Sequence, residues 1–545
     1  MSSVIPMMKT RNEWIKRVGI AGLVGAPLFG WGAAPQAAPA PVSSRPAPNV
    51  LFIAVDDLND WTGRMGGNRQ AITPHMDRFE NQSILFGNAH TPMAVCVASR
   101  NSLLSGRHPS STGWYATGES AKAMQESYRT VMQDRVMLPA YFKKNGYHTC
   151  CAGKIFHSGA TDYPFLLNEL WDDVLPSYES QVTGKFLERG GGYGGLVFYP
   201  FPKAGSQLKN HYGKELGGGH SLCGGPLDPE DIPGGKMYDE LIADYAVKEL
   251  GKKQDKPFFL AVGFVRPHMP YTAPRKYFEM YDKEKIEIPV VPDDEMKDIP
   301  VIGKAIAYGT AKMGDHQAVL GITNYWRDMV HAYLACTTLA DDQIGRVLQA
   351  LDASPYASNT VVVLFSDHGQ HLGEKKHWRK MSLWEESTRL PLAIRLPGNR
   401  NNGQVCNRPV SLLDLYPTLV DVCRLPAVNG LEGRSLVPLL DQPAREWPYP
   451  VLSNWMYKNY SVRSERYRYI QYRDGSEELY DHQVDPNEHI NQAGNPEFRD
   501  IIEQHKKWIP ASPALPVGSA TWKGDSLTKQ VELWRGKDGI PAWLE

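Results

Sequence analysis

NVLFIAVDD, residues 49–57, sets six consecutive apolar side chains in front of two adjacent aspartates. A short apolar run without polar alternation is the pattern of a strand covered on both faces, as in a parallel sheet. In such sheets ligand groups gather at the carboxyl ends of the strands. Asp56 and Asp57 stand at that end, and two neighbouring carboxylates repel each other unless a cation or hydrogen bonds intervene. A hard divalent metal is a natural partner for them. Aspartate also begins helices and turns, so the pair by itself does not decide the matter.

Three further segments repeat the pattern. Residues 147–152 lead to Gly153-Lys154-Ile155-Phe156-His157, residues 257–264 to Arg266-Pro267-His268-Met269-Pro270, and residues 360–366 to Asp367-His368-Gly369. Four apolar strands that end in polar groups are most simply explained by one catalytic rim. Beyond the last of them come His377, Trp378 and Lys380. Residues 92–109 add Cys96-Val97-Ala98-Ser99-Arg100 at the opening of a helical pattern, where unpaired N–H groups and the helix dipole favour an anion or a nucleophile. Taken alone, Cys-x-x-x-Arg reads as a packing cysteine beside a surface arginine.

Helical spacing is expected over residues 138–144, 236–250, 324–351 and 413–422. The expected fold class is therefore α/β, a large, mixed, mostly parallel sheet sandwiched by helices, over residues 49–445. From about residue 446 short alternating segments predict a smaller C-terminal α+β subdomain, 446–545, with an antiparallel sheet and a helix near 496–508. Residues 187–236 are glycine-rich with aromatic interruptions and show no regular pattern. They are expected to line a cleft, with His211 and His220, like His377 and Trp378, as candidate substrate contacts.

The chain has 545 residues, 42% of them hydrophobic, with a formal net charge of -1. That balance gives no reason to expect nucleic-acid or anionic-membrane binding, so an anionic ligand must be held locally. Basic residues 9–17, an apolar Gly/Ala-rich run and small residues to about 38 read as an export signal, followed by a proline-rich tether, 39–48. The expectation is a periplasmic or extracellular protein with no stable membrane insertion after signal removal; an uncleaved anchor is the competing reading. Seven cysteines are present. Cys406 and Cys423 could close a local loop, whereas adjacent Cys150 and Cys151 make poor partners for each other.

In order, VDDL, CVASR with LLSGRHP, GKIFH, RPHMP, SDHG, Lys380, GLEGRSLVPLL and EELYDHQVDPNE resemble the type I sulfatases of the alkaline-phosphatase-like superfamily. The likeness is strongest to the iduronate-2-sulfatase branch and to bacterial polysaccharide sulfatases. It implies that Cys96 is oxidised to formylglycine (3-oxoalanine) by a formylglycine-generating maturation enzyme. The hydrated aldehyde would then attack sulfur, form a sulfo-enzyme intermediate and expel sulfate when its second hydroxyl is deprotonated. It further implies one Ca²⁺ held by Asp56, Asp57, Asp367, His368 and the modified Cys96. Arg100 and Lys154 would steady the diol, His157 would be the base of the second step, and His268 and Lys380 would bind sulfate and assist the leaving oxygen. Ala98 stands where proline is commonest in the family. The expected substrate is a sulfated saccharide. The alternatives are a formylglycine-dependent phosphonate or phosphate monoester hydrolase on the same fold, or a non-catalytic sulfated-glycan-binding protein if Cys96 is unmodified.

Overall fold

The computed structural model describes residues 46–115, 120–157, 163–175, 222, 224–229, 232, 235–309, 314–518 and 525–545. The expected signal peptide and most of the tether lie outside these residues. Residues 47–545 form one compact unit, to which all that follows refers.

Its main sheet contains β1 Asn49–Val55, β2 Ile84–Phe86, β3 His148–Gly153, β4 Asp173–Val174, β5 Phe258–Phe264, β6 Thr360–Ser366, β7 Leu392–Arg395 and β8 Val405–Cys406. The spatial order is β8-β2-β7-β6-β1-β5-β3-β4. β6, β1, β5, β3 and β4 run parallel, and β7 lies antiparallel between β6 and β2. The four strands expected from sequence are thus neighbours in the sheet, and their carboxyl ends open onto one rim.

Every residue of β1 is buried because both faces are covered. Val50, Phe52 and Ala54 pack on the side holding α1 Cys96–Ser105, α2 Leu138–Lys144 and, later in the chain, Leu415–Val422. Leu51, Ile53 and Val55 pack on the other, under α3 Tyr238–Leu250 and α4 Tyr325–Asp352. The side-chain period of two divides one strand between two cores, which is why a half-polar strand would not serve here.

The smaller sheet is the antiparallel meander β9 Val451–Asn454, β10 Tyr460–Arg463, β11 Tyr467–Gln471 and β12 Glu477–Asp481. The helix Arg499–Lys506 follows it. Within the glycine-rich segment, where no regular element was expected, Gly224–Leu227 pairs in parallel with Tyr271–Pro274. Such a strand borrows its register from its partner, so sequence periodicity does not reveal it. Cys406 and Cys423 are both free and buried, and no disulfide joins any described cysteine.

Candidate active site

Asp56 leaves β1 with its amide still bonded to the Phe264 carbonyl of β5, at 3.1 Å, and Asp57 turns the chain with φ +62°. The turn is pinned by the Asp57 amide on Asp367 Oδ1, 3.2 Å, and by the Tyr333 hydroxyl of α4 on the Asp57 carbonyl, 2.7 Å. The two aspartates therefore diverge toward different partners. Lys154, just past β3, pairs with Asp56, while Lys380 donates to both oxygens of Asp57 at 2.7 and 2.8 Å.

Arg100 sits on α1 one turn after Cys96 and is buried. Its Nε meets Asp367 Oδ2 at 2.8 Å, and its Nη2 meets Asp56 Oδ1 at 3.2 Å. A third donor reaches the Lys154 and Ile155 carbonyls. One planar guanidinium thus fastens three strand ends, a task that needs its fixed fork of donors. Cys96 begins α1 behind Val95, and its Sγ lies 3.2 Å from His368 Nε2 and 3.9 Å from Asp57 Oδ1. His368 Nδ1 bonds the Gly369 carbonyl at 2.9 Å, which leaves Nε2 directed at the cluster.

His268 is held by a loop with cis prolines on both sides. Buried Arg266 braces the loop through the Thr272 carbonyl and hydroxyl, at 2.6 and 2.7 Å. His268 Nδ1 bonds the Met269 carbonyl at 2.6 Å, and Nε2 stands 3.9 Å from Asp57 Oδ2. His157 follows Lys154 by three residues beyond β3, and burial, assisted by Lys154, lowers its pKa.

Burial opposes charge throughout the site, and the partners decide which groups keep it. At Asp56 the cost of burial is outweighed by Lys154, His268 and Arg100, which hold the carboxyl well below its usual range; at Asp57, His268 and Lys380 act likewise. At Asp367 burial prevails over Arg100 and His368, so its pKa is raised. Burial, reinforced by Asp56, pushes the Cys96 thiol far above its ordinary value. Burial lowers His268 to about 3, and it keeps His157 well below the ordinary histidine value with help from Lys154. The cluster thus holds three carboxylates against three cationic side chains, with neutral imidazoles at its edge.

The donor set fits a divalent cation. One ligand atom each from Asp56, Cys96, Asp367 and His368 lies within 4.8 Å of the others, and so does one each from Asp56, Asp57, Cys96 and His268. Three carboxylates supply the hard oxygen donors that suit calcium, and one imidazole adds a nitrogen.

The structure therefore brings together Asp56, Asp57, Cys96, Arg100, Lys154, His157, His268, Asp367, His368 and Lys380. Two expected substrate contacts, His377 and Trp378, lie inside the fold. His377 is buried, with its nitrogens on the Ala307 and Lys380 carbonyls at 3.3 and 2.8 Å; it orients the Lys380 segment. Trp378 is fully buried in the core and donates to His316 at 3.2 Å. Apolar bulk and satisfied polar atoms draw both inward. His211 and His220 lie outside the described residues. Sequence reasoning gave no role to Ser99, whose hydroxyl bonds the Asp367 carbonyl at 2.6 Å, nor to Tyr333 or Arg266. Only the position of Ser99 inside the Cys-to-Arg motif hinted at its role. A cavity of about 1200 Å³ runs between Trp61, Glu374, Arg389 and His482, and none of the ten clustered groups lines it.

The sulfatase family model matches residues 48–424, and a model of the C-terminal region of N-sulphoglucosamine sulphohydrolase matches 373–512. A sulfatase of Formosa agariphila is 36% identical over 488 residues, covering 88% of each chain. The chain belongs to the sulfatase family. It is a sulfate ester hydrolase, with the alkaline-phosphatase-like fold of that family. Mouse iduronate 2-sulfatase is 29% identical to this sulfatase over 431 residues, 70% of each chain. The phosphonate monoester hydrolase of Silicibacter pomeroyi superposes with a TM-score of 0.65 at 22% identity, covering 84% of this chain and 94% of its own. At that identity it shares the fold alone.

Proposed function

We propose that this sulfatase removes sulfate from a sulfated carbohydrate, using Cys96 converted to formylglycine and one Ca²⁺ held by Asp56, Asp57, Asp367, His368 and the modified Cys96. The observation that carries the reading is the burial of Cys96 among three carboxylates and three cations at one rim. There the thiol is pushed far above neutral pH by burial and by Asp56, so unmodified it is a poor nucleophile. The carbohydrate class is supported by the iduronate 2-sulfatase relative and by the sulphoglucosamine model over the C-terminal region.

Hydrated formylglycine supplies two geminal hydroxyls, one to attack sulfur and one whose deprotonation frees sulfate, and bound Ca²⁺ supplies positive charge against the sulfate oxygens. The chain's own groups do the rest. Arg100 fixes Asp56 and Asp367 relative to each other, and Lys154 holds Asp56 while facing the head of α1. His157, kept neutral, is suited to accept the proton of the second step. Neutral His268 donates its Nδ1–H to the Met269 carbonyl and presents Nε2 as an acceptor, so Lys380 is the proton donor of that pair. Asp57 binds Lys380 and orients its ammonium.

The maturation enzyme is the expected partner, and residues 1–38 support export. No described helix is long and apolar enough to cross a membrane. Production with a formylglycine-generating enzyme should give a Cys96 peptide that has lost sulfur and two hydrogens and gained one oxygen. The matured protein should release sulfate from at least one member of a panel of position-defined sulfated saccharides, and Cys96→Ala and Asp367→Ala should not, though both remain folded by circular dichroism. Faster turnover of an aryl phosphonate than of every sulfate ester would replace this reading with the phosphonate hydrolase.

A further inference from the structure

The adjacent cysteines of β3 are divided by the pleat. Cys151 enters the core on one face of the sheet, while Cys150 points to the other, the face it shares with His148 two residues earlier. β4 pairs with Cys150 through Asp173, whose side chain takes the same face. α3 packs across that face and brings Glu249 down in its last turn. One ligand atom each from His148, Cys150 and Glu249 lies within 4.8 Å of the other two. None of these residues belongs to the rim, which β3 reaches only at its far end through Lys154.

Glu249 shows why this is more than a chance gathering. The residue is 4% exposed; Lys252 takes Oε1 at 2.5 Å, but Oε2 is buried with no hydrogen-bond partner among the described residues. The Tyr245 hydroxyl, one helical turn earlier, is likewise buried without a partner among the described residues. A carboxylate in the last turn of a helix also faces the negative end of the dipole. Both features of Glu249 cost stability, and one cation on its carboxylate would relieve them together. The other nearby ammonium, on Lys143, is engaged by Asp172 at 2.9 Å.

The geometry points to a structural zinc site formed by His148, Cys150 and Glu249, with Asp173 as fourth donor. A thiol and an imidazole are softer donors that suit zinc, not calcium or magnesium, and carboxylates complete such sites. Donors around a tetrahedral zinc stand about 3.5 Å apart, so small side-chain rotations close the set. His148 Nε2 lies 4.0 Å from Asp173 Oδ2, and its Nδ1 lies 3.6 Å from Asp172. A carboxylate behind the ligating imidazole is the usual means of orienting it. The ion would clip the edge of the sheet to the end of α3.

The test uses the full chain carrying Cys96→Ala, which removes the other thiol that stands among carboxylates. After chelator treatment and zinc loading, desalted protein should retain one zinc equivalent that is missing from the Cys150→Ser and Glu249→Gln versions. Cobalt in place of zinc should give a thiolate charge-transfer band that Cys150→Ser abolishes. Asp172→Asn should weaken zinc binding by about ten- to a hundredfold. His148, whose side chain is 29% exposed, tolerates replacement if the buried changes do not fold, and His148→Ala should also lose the equivalent. Zinc retention unchanged by His148→Ala, or no retention by the parent chain, overturns the assignment.

Discussion

Single buried charges decide much of this protein's behaviour. Arg100 is useful because three strand ends need one rigid donor, and Lys154 and Lys380 because each neutralises a different aspartate. Glu80 illustrates the opposite case, a buried acid whose nearest described cation, Arg64, bonds its backbone carbonyl and not its carboxylate. Burial, assisted by Asp77, raises its pKa to about 8 from an ordinary 4.5, while the Thr62 hydroxyl at 3.2 Å offsets only part of that cost. The folded state therefore keeps a proton that the unfolded chain gives up. Its contribution is present in full below the ordinary value and is lost as pH rises from about 4.5 to 8, by at most ~1.4 kcal/mol per pH unit. Glu80→Gln should flatten that fall, as urea unfolding across pH 5 to 8 would show.

At the scale of elements, the site depends on how closely strands approach at their carboxyl ends. Gly263 of β5 lies against the backbone of Lys154, where an added Cβ would stand 2.2 Å from the Lys154 carbonyl oxygen. Gly153 has φ +73° and meets the Gly263 carbonyl just as closely. Both glycines let β3 and β5 deliver Lys154 to Asp56. Gly263→Ala should push Lys154 off its partner, lowering sulfate release at least about tenfold through lost positioning and destabilising the fold by about 1–3 kcal/mol. Thermal unfolding and a sulfate-release assay on one preparation separate the two effects. The elements themselves were legible: β1, β3, β5 and β6 announce themselves as apolar runs, because a doubly covered strand has no polar face. The strand Gly224–Leu227 was not, since glycine and proline carry no strand signal and its pairing with Tyr271–Pro274 is made by tertiary contact.

At the scale of the molecule, the antiparallel sheet is joined to the catalytic rim's supporting loops by buried charge. Arg468 of β11 pairs with Glu385 and reaches Glu488 at 2.5 Å, and Arg463 of β10 meets Glu385 at 3.2 Å. The Glu385 amide donates to Glu488 at 2.9 Å, and Trp384 donates to Glu478 of β12 at 2.8 Å. Removing one member leaves a buried charge uncompensated, which costs more than the intact pair contributes. Arg468→Ala should destabilise the protein by about 3–5 kcal/mol. Because the pair is buried, added salt should change that loss little, as denaturant titrations at low and high ionic strength would show.

The main strands, the order of the motifs at their ends and the candidate nucleophile can all be read along the chain, because burial on two faces and the break to polar residues are local properties. That Ser99, Tyr333 and Arg266 hold the rim in place, that His377 and Trp378 turn inward, and that His148, Cys150 and Glu249 meet is visible only in the folded chain. Those outcomes depend on which strand lies beside which and which face a helix covers. Residues separated by a hundred positions acquire a shared environment only once the sheet has closed around them.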